Sequence, residues 1–203
     1  MSTINVPVPT GAAAGHVAVQ GIERWESTNP AITWASGFTQ IVSLVSGSSK
    51  LNIAWKRLTA ADTGNYTSSW TGSQWSLGHC ILISGALSSG DPIEASNTAT
   101  SASGTSVPTT SVTTATLAFL THFVSNENSA TTTPPTSFTE VQDSNYLHTN
   151  YWIPGSTGSL SASGSTLSAS TLSLAALIAV KPDTGGAAPS VPIYTISSYG
   201  SFH

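Results

Sequence analysis

Five histidines and nine carboxylates are the groups with which this chain could do metal or acid-base chemistry, and their spacing favours neither. His16, His79, His122, His148 and His203 never stand two or four residues apart, the spacings that put two imidazoles on one face of a strand or helix. Glycoside hydrolysis needs two carboxyls across one bond. Here the acids fall in loop-like contexts such as AADTGN and SGDPIE, where Asp62 and Asp91 are expected to turn the chain through bonds to nearby backbone. The motifs GxSxG, HExxH, CxxC, the P-loop, GxGxxG and the DxDxDG calcium loop are all absent. The sequence therefore predicts no catalytic residue, no metal site and no cofactor, and an enzyme ranks behind structural and binding readings.

Two groups of residues keep a binding role. Trp70 and Trp75 flank TGSQ, and aromatic side chains beside a loop can stack on sugar rings, although a place in the core is the favoured reading for both. The second group lies at 193–203. After Gly185, Gly186, Pro189 and Pro192 come Ile193, Tyr194, Ile196, Tyr199 and Phe202, with no charge among them. These five are the expected partner-docking residues of a C-terminal arm. IYTIS has the β-rich character to add as an edge strand to a neighbouring sheet. Such a contact should depend weakly on salt, because few ionic groups are present to be screened.

The elements that carry these residues read as strands. Val, Ile, Thr, Trp and Tyr recur in short alternating runs broken by Gly, Pro, Asn and Ser, and helix signals are nearly absent. LNIAWKRL at 51–58 places Leu51, Ile53 and Trp55 on a core-facing side, with Lys56 on the other as a solvated side chain. LAFLTHFV at 117–124 and LAALIAVK at 174–181 have the continuous apolar character of strands covered on both faces. His122 within the first is expected to be a hydrogen-bonded core or edge histidine, and Cys80, the one cysteine, a small buried hydrophobe. An internal echo spaced by about 100 residues links VPTG and GFTQIVS in the first half to VPTT and SFTEVQD in the second. Two such half-units would pair around one core. The expected fold is all-β: a jelly-roll-like β-sandwich of two pseudo-repeated halves over 1–182, followed by a linker and docking arm over 183–203.

Composition narrows the partners. Charged residues are 7% of the chain, against roughly a quarter in ordinary soluble domains, and the net charge is -4. Five Lys and Arg in all leave no basic stripe for phosphates, which argues against nucleic acid and anionic membranes. MSTINVPVPTG lacks the basic start and apolar run of a secretory leader. No stretch approaches the roughly twenty apolar residues of a membrane span.

Residues 54–95, AWKRLTAADTGNYTSSWTGSQWSLGHCILISGALSSGDPIEA, resemble a domain that recurs in bacteriophage virion proteins. The resemblance rests on Trp55, Lys56 and Arg57 closing a strand, then Asp62, Tyr66, Trp70 and Gly72, Gly85, and Asp91, Pro92 and Ile93. TPPTSFTEV and ALIAVKP extend it. It implies a non-enzymatic virion structural protein, made in the bacterial host cytoplasm and carried on the particle. The favoured role is a capsid decoration or cement protein docking on the head shell through its arm. A tail or tail-fibre module, with receptor or carbohydrate binding, is the alternative. The implied partners are the major capsid protein or other virion proteins, with self-association as a homo-oligomer, a trimer being the working expectation.

Overall fold

A computed structural model of the chain describes residues 1–72 and 75–183 and, for the backbone alone, the strand Ser198–Tyr199. Among the described residues every regular element is a strand. In the first half these are β1 (Ser2–Pro7), β2 (Val17–Trp25), β3 (Thr39–Ser46), β4 (Ser49–Arg57), β5 (Asn65–Trp70), β6 (Ser76–Ile83) and β7 (Ile93–Ser101). The second half holds β8 (Thr110–Thr114), β9 (Phe119–Asn126), β10 (Thr132–Thr133), β11 (Thr139–Asp143), β12 (Leu147–Trp152), β13 (Gly158–Ala162), β14 (Thr166–Leu167), β15 (Ser173–Val180) and β16 (Ser198–Tyr199).

Two five-stranded antiparallel sheets form the body, ordered β16-β6-β2-β4-β3 and β11-β12-β9-β15-β7. Their inner faces meet over Val19, Ile53, Ile81, Phe119, Phe123 and Ile178, among others, all fully buried. Each sheet is also covered outside. The β1-β5 ribbon lays Ile4, Val6, Tyr66 and Trp70 over Ala18, Ile22, Cys80 and Leu82. On the opposite face the β8-β13 ribbon lays Val112 and Leu160 over Leu120 and Leu177, and the short β10-β14 pair brings Leu167 to Val124 and Ala175. Cover on both faces is why β6, β9 and β15 are buried at every position. It is also why Asn52 and Ala54, on the far side of β4 from Leu51 and Ile53, are buried as well.

The two sheets are the same structure built twice. Ala35–Phe38 and Pro135–Phe138 each form a turn in which the Phe N–H donates to the carbonyl three residues back, at 3.1 and 3.0 Å. The third residue of each turn is left-handed, Gly37 at φ 84° and Ser137 at φ 72°. That is the type II pattern. A β-bulge follows at the same place, Gln40/Val42 against β4 and Glu140/Gln142 against β12. Walking outward from the bulge through the pairing registers matches Ile53 with Thr149, Gly21 with Phe123, His79 with Ala176 and Gly78 with Ala175. β6 then coincides end to end with β15.

The last step of that walk shows how the halves are joined. β7, which follows β6, pairs not with β6 but with β15, setting Ala99 opposite Ala175 and Thr100 opposite Leu174. β16, which follows β15, pairs with β6, setting Ser198 opposite Gly78 and Tyr199 opposite Leu77. Since Gly78 matches Ala175 and Leu77 matches Leu174, β16 holds on the first sheet the register that β7 holds on the second. Each half lends its trailing strand to the other.

Three side chains differ from expectation. Lys56 is only partly solvated: its Nζ meets Asp62 Oδ2 at 2.7 Å and lies 5.4 Å from the centre of the Tyr66 ring. Asp62 accordingly holds a cation, whereas Asp91 accepts the Ile93 N–H at 2.9 Å in the expected turn. His122 is fully buried but among the described residues neither ring nitrogen has a hydrogen-bond partner; the ring stands edge-on to Phe138, 5.8 Å between centroids. Burial, and to a lesser extent the nearby His148, pull its pKa down to about 3, so it is packed as a neutral aromatic ring.

Candidate functional site

The residues singled out from sequence separate widely. Trp70 cannot stack on a ligand: it is 2% exposed on the inward face of the β1-β5 ribbon, with the Arg24 guanidinium 5.3 Å from its ring centre. Trp75 lies just ahead of β6 and lines an open cleft. Of the arm, Ile193, Tyr194, Ile196 and Phe202 lie outside the described residues, and Tyr199 is placed by its backbone in β16.

The cleft sits where β2, β6, β9 and β12 begin or end at one rim of the sandwich. It encloses about 290 Å³ between Trp25, Trp75, Tyr146, Glu127 and Asn128, with Glu23 and Asn126 at its base. Strand pairing continues one step past the strand ends to fix the walls. Trp25 N–H donates to the Trp75 carbonyl at 3.0 Å, and Asn126 N–H donates to the Tyr146 carbonyl at 3.0 Å. Trp75 and Tyr146 meet edge to face, 4.5 Å between centroids, while Trp25 is 48% exposed.

A polar network holds the Tyr146 wall. Asn126 Nδ2 donates to the carbonyls of Asn145, at 2.8 Å, and Asn128, leaving its Oδ1 to accept from His148 Nε2 at 2.7 Å. His148 Nδ1 is 2.9 Å from Asp143 Oδ1. Burial raises the Asp143 pKa, but the bonds from His148 and from the backbone of Asn145 and Thr132 outweigh that and bring it to about 2. His79 crosses from β6 to the other sheet, bonding Thr149 Oγ1 at 2.9 Å and Ser144 Oγ at 3.0 Å. Burial takes its pKa down to about 3.

Beneath the cleft Glu23 is 1% exposed, and it joins the two sheets. Its carboxyl contacts Ser49 Oγ at 2.7 Å and Ser125 Oγ, and the two hydroxyls contact each other at 2.9 Å. Three oxygen contacts need three hydrogens, and two hydroxyls supply two. A proton on Glu23 supplies the third and closes the ring. The electrostatics agree: burial pushes the Glu23 pKa up to about 8, against the opposing effects of the serine bonds and the Lys50 and Arg24 charges. Both carboxyl oxygens are thus committed to the seam between the sheets, and Glu23 is a structural acid rather than a proton donor to a ligand.

Nearby charges are balanced. Arg24 pairs with Glu26 at 2.6 Å, both buried, and Lys50, whose Nζ donates to the Gly47 carbonyl at 2.7 Å, feels the fields of Glu26 and Glu127. Among the described residues no three His, Cys, Asp or Glu side chains converge in a way that could hold a metal, and no helix is long and apolar enough to cross a membrane. Trp25, Tyr146 and Glu127 were not singled out from sequence. Their one local signal is Trp25 in ERWES, an aromatic where a strand gives way to polar residues. Compared with family models, curated proteins and solved structures, the chain matches none.

Proposed function

We propose that this chain is a non-enzymatic structural protein that joins a larger assembly by strand addition through its C-terminal arm. One observation carries the reading: the outer edge of β6 accepts Ser198–Tyr199 in the register with which β15 accepts β7. An edge strand is a template for pairing, and backbone bonds give such a contact affinity without charge. The connection from β15 to β16 is long enough to serve in trans. The residues from 181 to 197 span at most about 60 Å when extended, a reach suited to the β6 edge of an adjacent copy. The assembly is a phage virion, with this protein decorating the head shell. That part of the reading is supported by the resemblance over residues 54–95 and by a surface rich in hydroxyls and poor in charge.

Removing residues 187–203 tests it. The shortened protein should keep the β-sheet circular dichroism and cooperative melting of the full chain. In sizing with light scattering the full chain should self-associate as concentration rises, while the shortened chain stays monomeric. Equal association of the two proteins would place the docking surface on the sandwich body and overturn the arm. Labelling particles with a specific antibody tests the setting: label on the head supports decoration, and label on the tail supports the tail module instead.

A further inference from the structure

We propose that the rim cleft binds a neutral saccharide, one ring face lying on Trp25 and the hydroxyls meeting Glu127 and Asn128. Trp25 closes a strand with nearly half its surface in water, and Trp75 and Tyr146 already hold each other edge to face, so an aromatic platform is built before any ligand arrives. The volume equals about ten waters at roughly 30 Å³ each, room for a sugar ring and its hydroxyls. The polar atoms divide into committed and free. Asn126 and Glu23 use theirs to hold the walls together. The carboxylate of Glu127 and the side-chain amide of Asn128 line the cleft and make no hydrogen bond among the described residues.

Charge selects the class of ligand. Among the described residues no basic side chain lines the cleft to recruit an anion, and the charge of Glu127, the one ionised lining group beside the protonated Glu23, is offset in part by the field of the nearby Lys50. An aromatic cage for a quaternary ammonium would need unbalanced negative charge beside its π faces. The internal repeat supplies an independent argument. Trp25 and Glu127 occupy matching positions at the ends of β2 and β9, yet one is an apolar plate and the other a hydrogen-bond acceptor. At the matched turns, where the two halves keep one backbone shape, the residue repeats, as Phe38 and Phe138 do. The cleft instead sets unlike groups against each other, as a ligand with one C–H face and a hydroxyl edge requires.

The experiment titrates the full chain with cellobiose, maltose, lactose and N,N′-diacetylchitobiose, following tryptophan fluorescence and calorimetric heat, with tetramethylammonium chloride as a separate arm. At least one disaccharide should bind saturably. Trp25→Ala should weaken it by at least about tenfold, and Glu127→Gln by about tenfold, with circular dichroism unchanged because both side chains reach solvent. Binding unaltered by Trp25→Ala would place the sugar elsewhere and overturn the proposal. Absence of saturable binding by all four sugars, or saturable tetramethylammonium binding that Trp25→Ala abolishes, would overturn it as well.

Discussion

β2 and β9 are the matching central strands of the two sheets, and they spend their matched positions differently. On the outer face β2 buries Arg24, paired with Glu26 and lying against Trp70, where β9 places Asn126, an uncharged amide bonded to backbone carbonyls and to His148. On the inner face Gly21 matches Phe123, and Glu23 matches Ser125. Each matched pair is also in direct contact, because the axis relating the halves passes between them. Identical halves could not pack this way: two Phe would collide and two Gly would leave a void. Divergence at the axis is therefore what lets the repeat close on itself.

The largest effect should come from the buried ion pair. Glu26→Gln leaves the Arg24 charge buried beside Trp70 without its counter-charge, and removing one partner of such a pair costs about 3–5 kcal/mol. Urea midpoints at neutral pH measure it. The matching change in the other half, Asn126→Ala, removes hydrogen bonds but no counter-charge, and should cost roughly half as much or less. Equal losses would mean that Arg24 already finds enough compensation from the Pro30 carbonyl and Asn29.

The pH profile next separates Glu23 from the two buried histidines. Glu23 has its folded pKa raised from 4.5 to about 8, so its contribution is fully present below pH 4.5 and is lost as pH rises toward 8. His79 and His122 have theirs lowered from 6.5 to about 3, so theirs is fully present above pH 6.5 and is lost as pH falls toward 3. Between 4.5 and 6.5 two histidines outweigh one carboxyl, and stability rises. Above 6.5 only the Glu23 effect remains among these three, and stability falls by about 2 kcal/mol by pH 8. The maximum should lie near pH 6.5. Glu23→Gln should flatten the alkaline limb and leave the acid limb intact; an unchanged alkaline limb would show that Glu23 is ionised within the seam.

These contrasts mark what could be read in advance. The echo of GFTQIVS in SFTEVQD was legible because a turn, a left-handed residue and a bulge are set within a few residues, and β9 and β15 were legible because continuous apolar runs signal cover on both faces. Trp70 and Trp75 could not be told apart, since the fate of each depends on packing between segments distant in sequence: Trp70 faces inward from the β1-β5 ribbon onto the sheet beneath it, and Trp75 stands at the rim. The exchange of β7 and β16 leaves no local signal, because a strand's own residues do not say which partner edge it joins. The cleft was hidden for the same reason. Its walls come from four strand ends that only the folded sandwich brings together.

A smaller effect is expected where the axis is tightest. A Cβ on Gly21 would lie 2.5 Å from Phe123 Cδ1, so Gly21→Ala must displace the ring, and overpacking of this kind costs about 1–3 kcal/mol. Phe123→Leu alone should also destabilise by leaving space. The double variant should lose less than the sum, because each change makes room for the other. Strict additivity in denaturation midpoints would mean that the two positions do not press on one another.

The smallest effect lies at the matched turns, where one half has the residue the backbone calls for and the other does not. Gly37 and Ser137 are both left-handed, at φ 84° and 72°. For a residue with a Cβ that conformation costs about 1–2 kcal/mol, while glycine carries an unfolded-state entropy penalty of roughly 0.5–1 kcal/mol. Ser137→Gly should therefore stabilise the protein by a few tenths to about 1 kcal/mol. Gly37→Ser should destabilise by at least as much, since its new Cβ would also lie 3.2 Å from Lys56 Cε. Opposite signs in the two halves are the test, read as shifts of the thermal midpoint. If Ser137→Gly destabilises, the serine side chain contributes more to that turn than its backbone strain costs, and the two turns are alike in shape but not in what holds them.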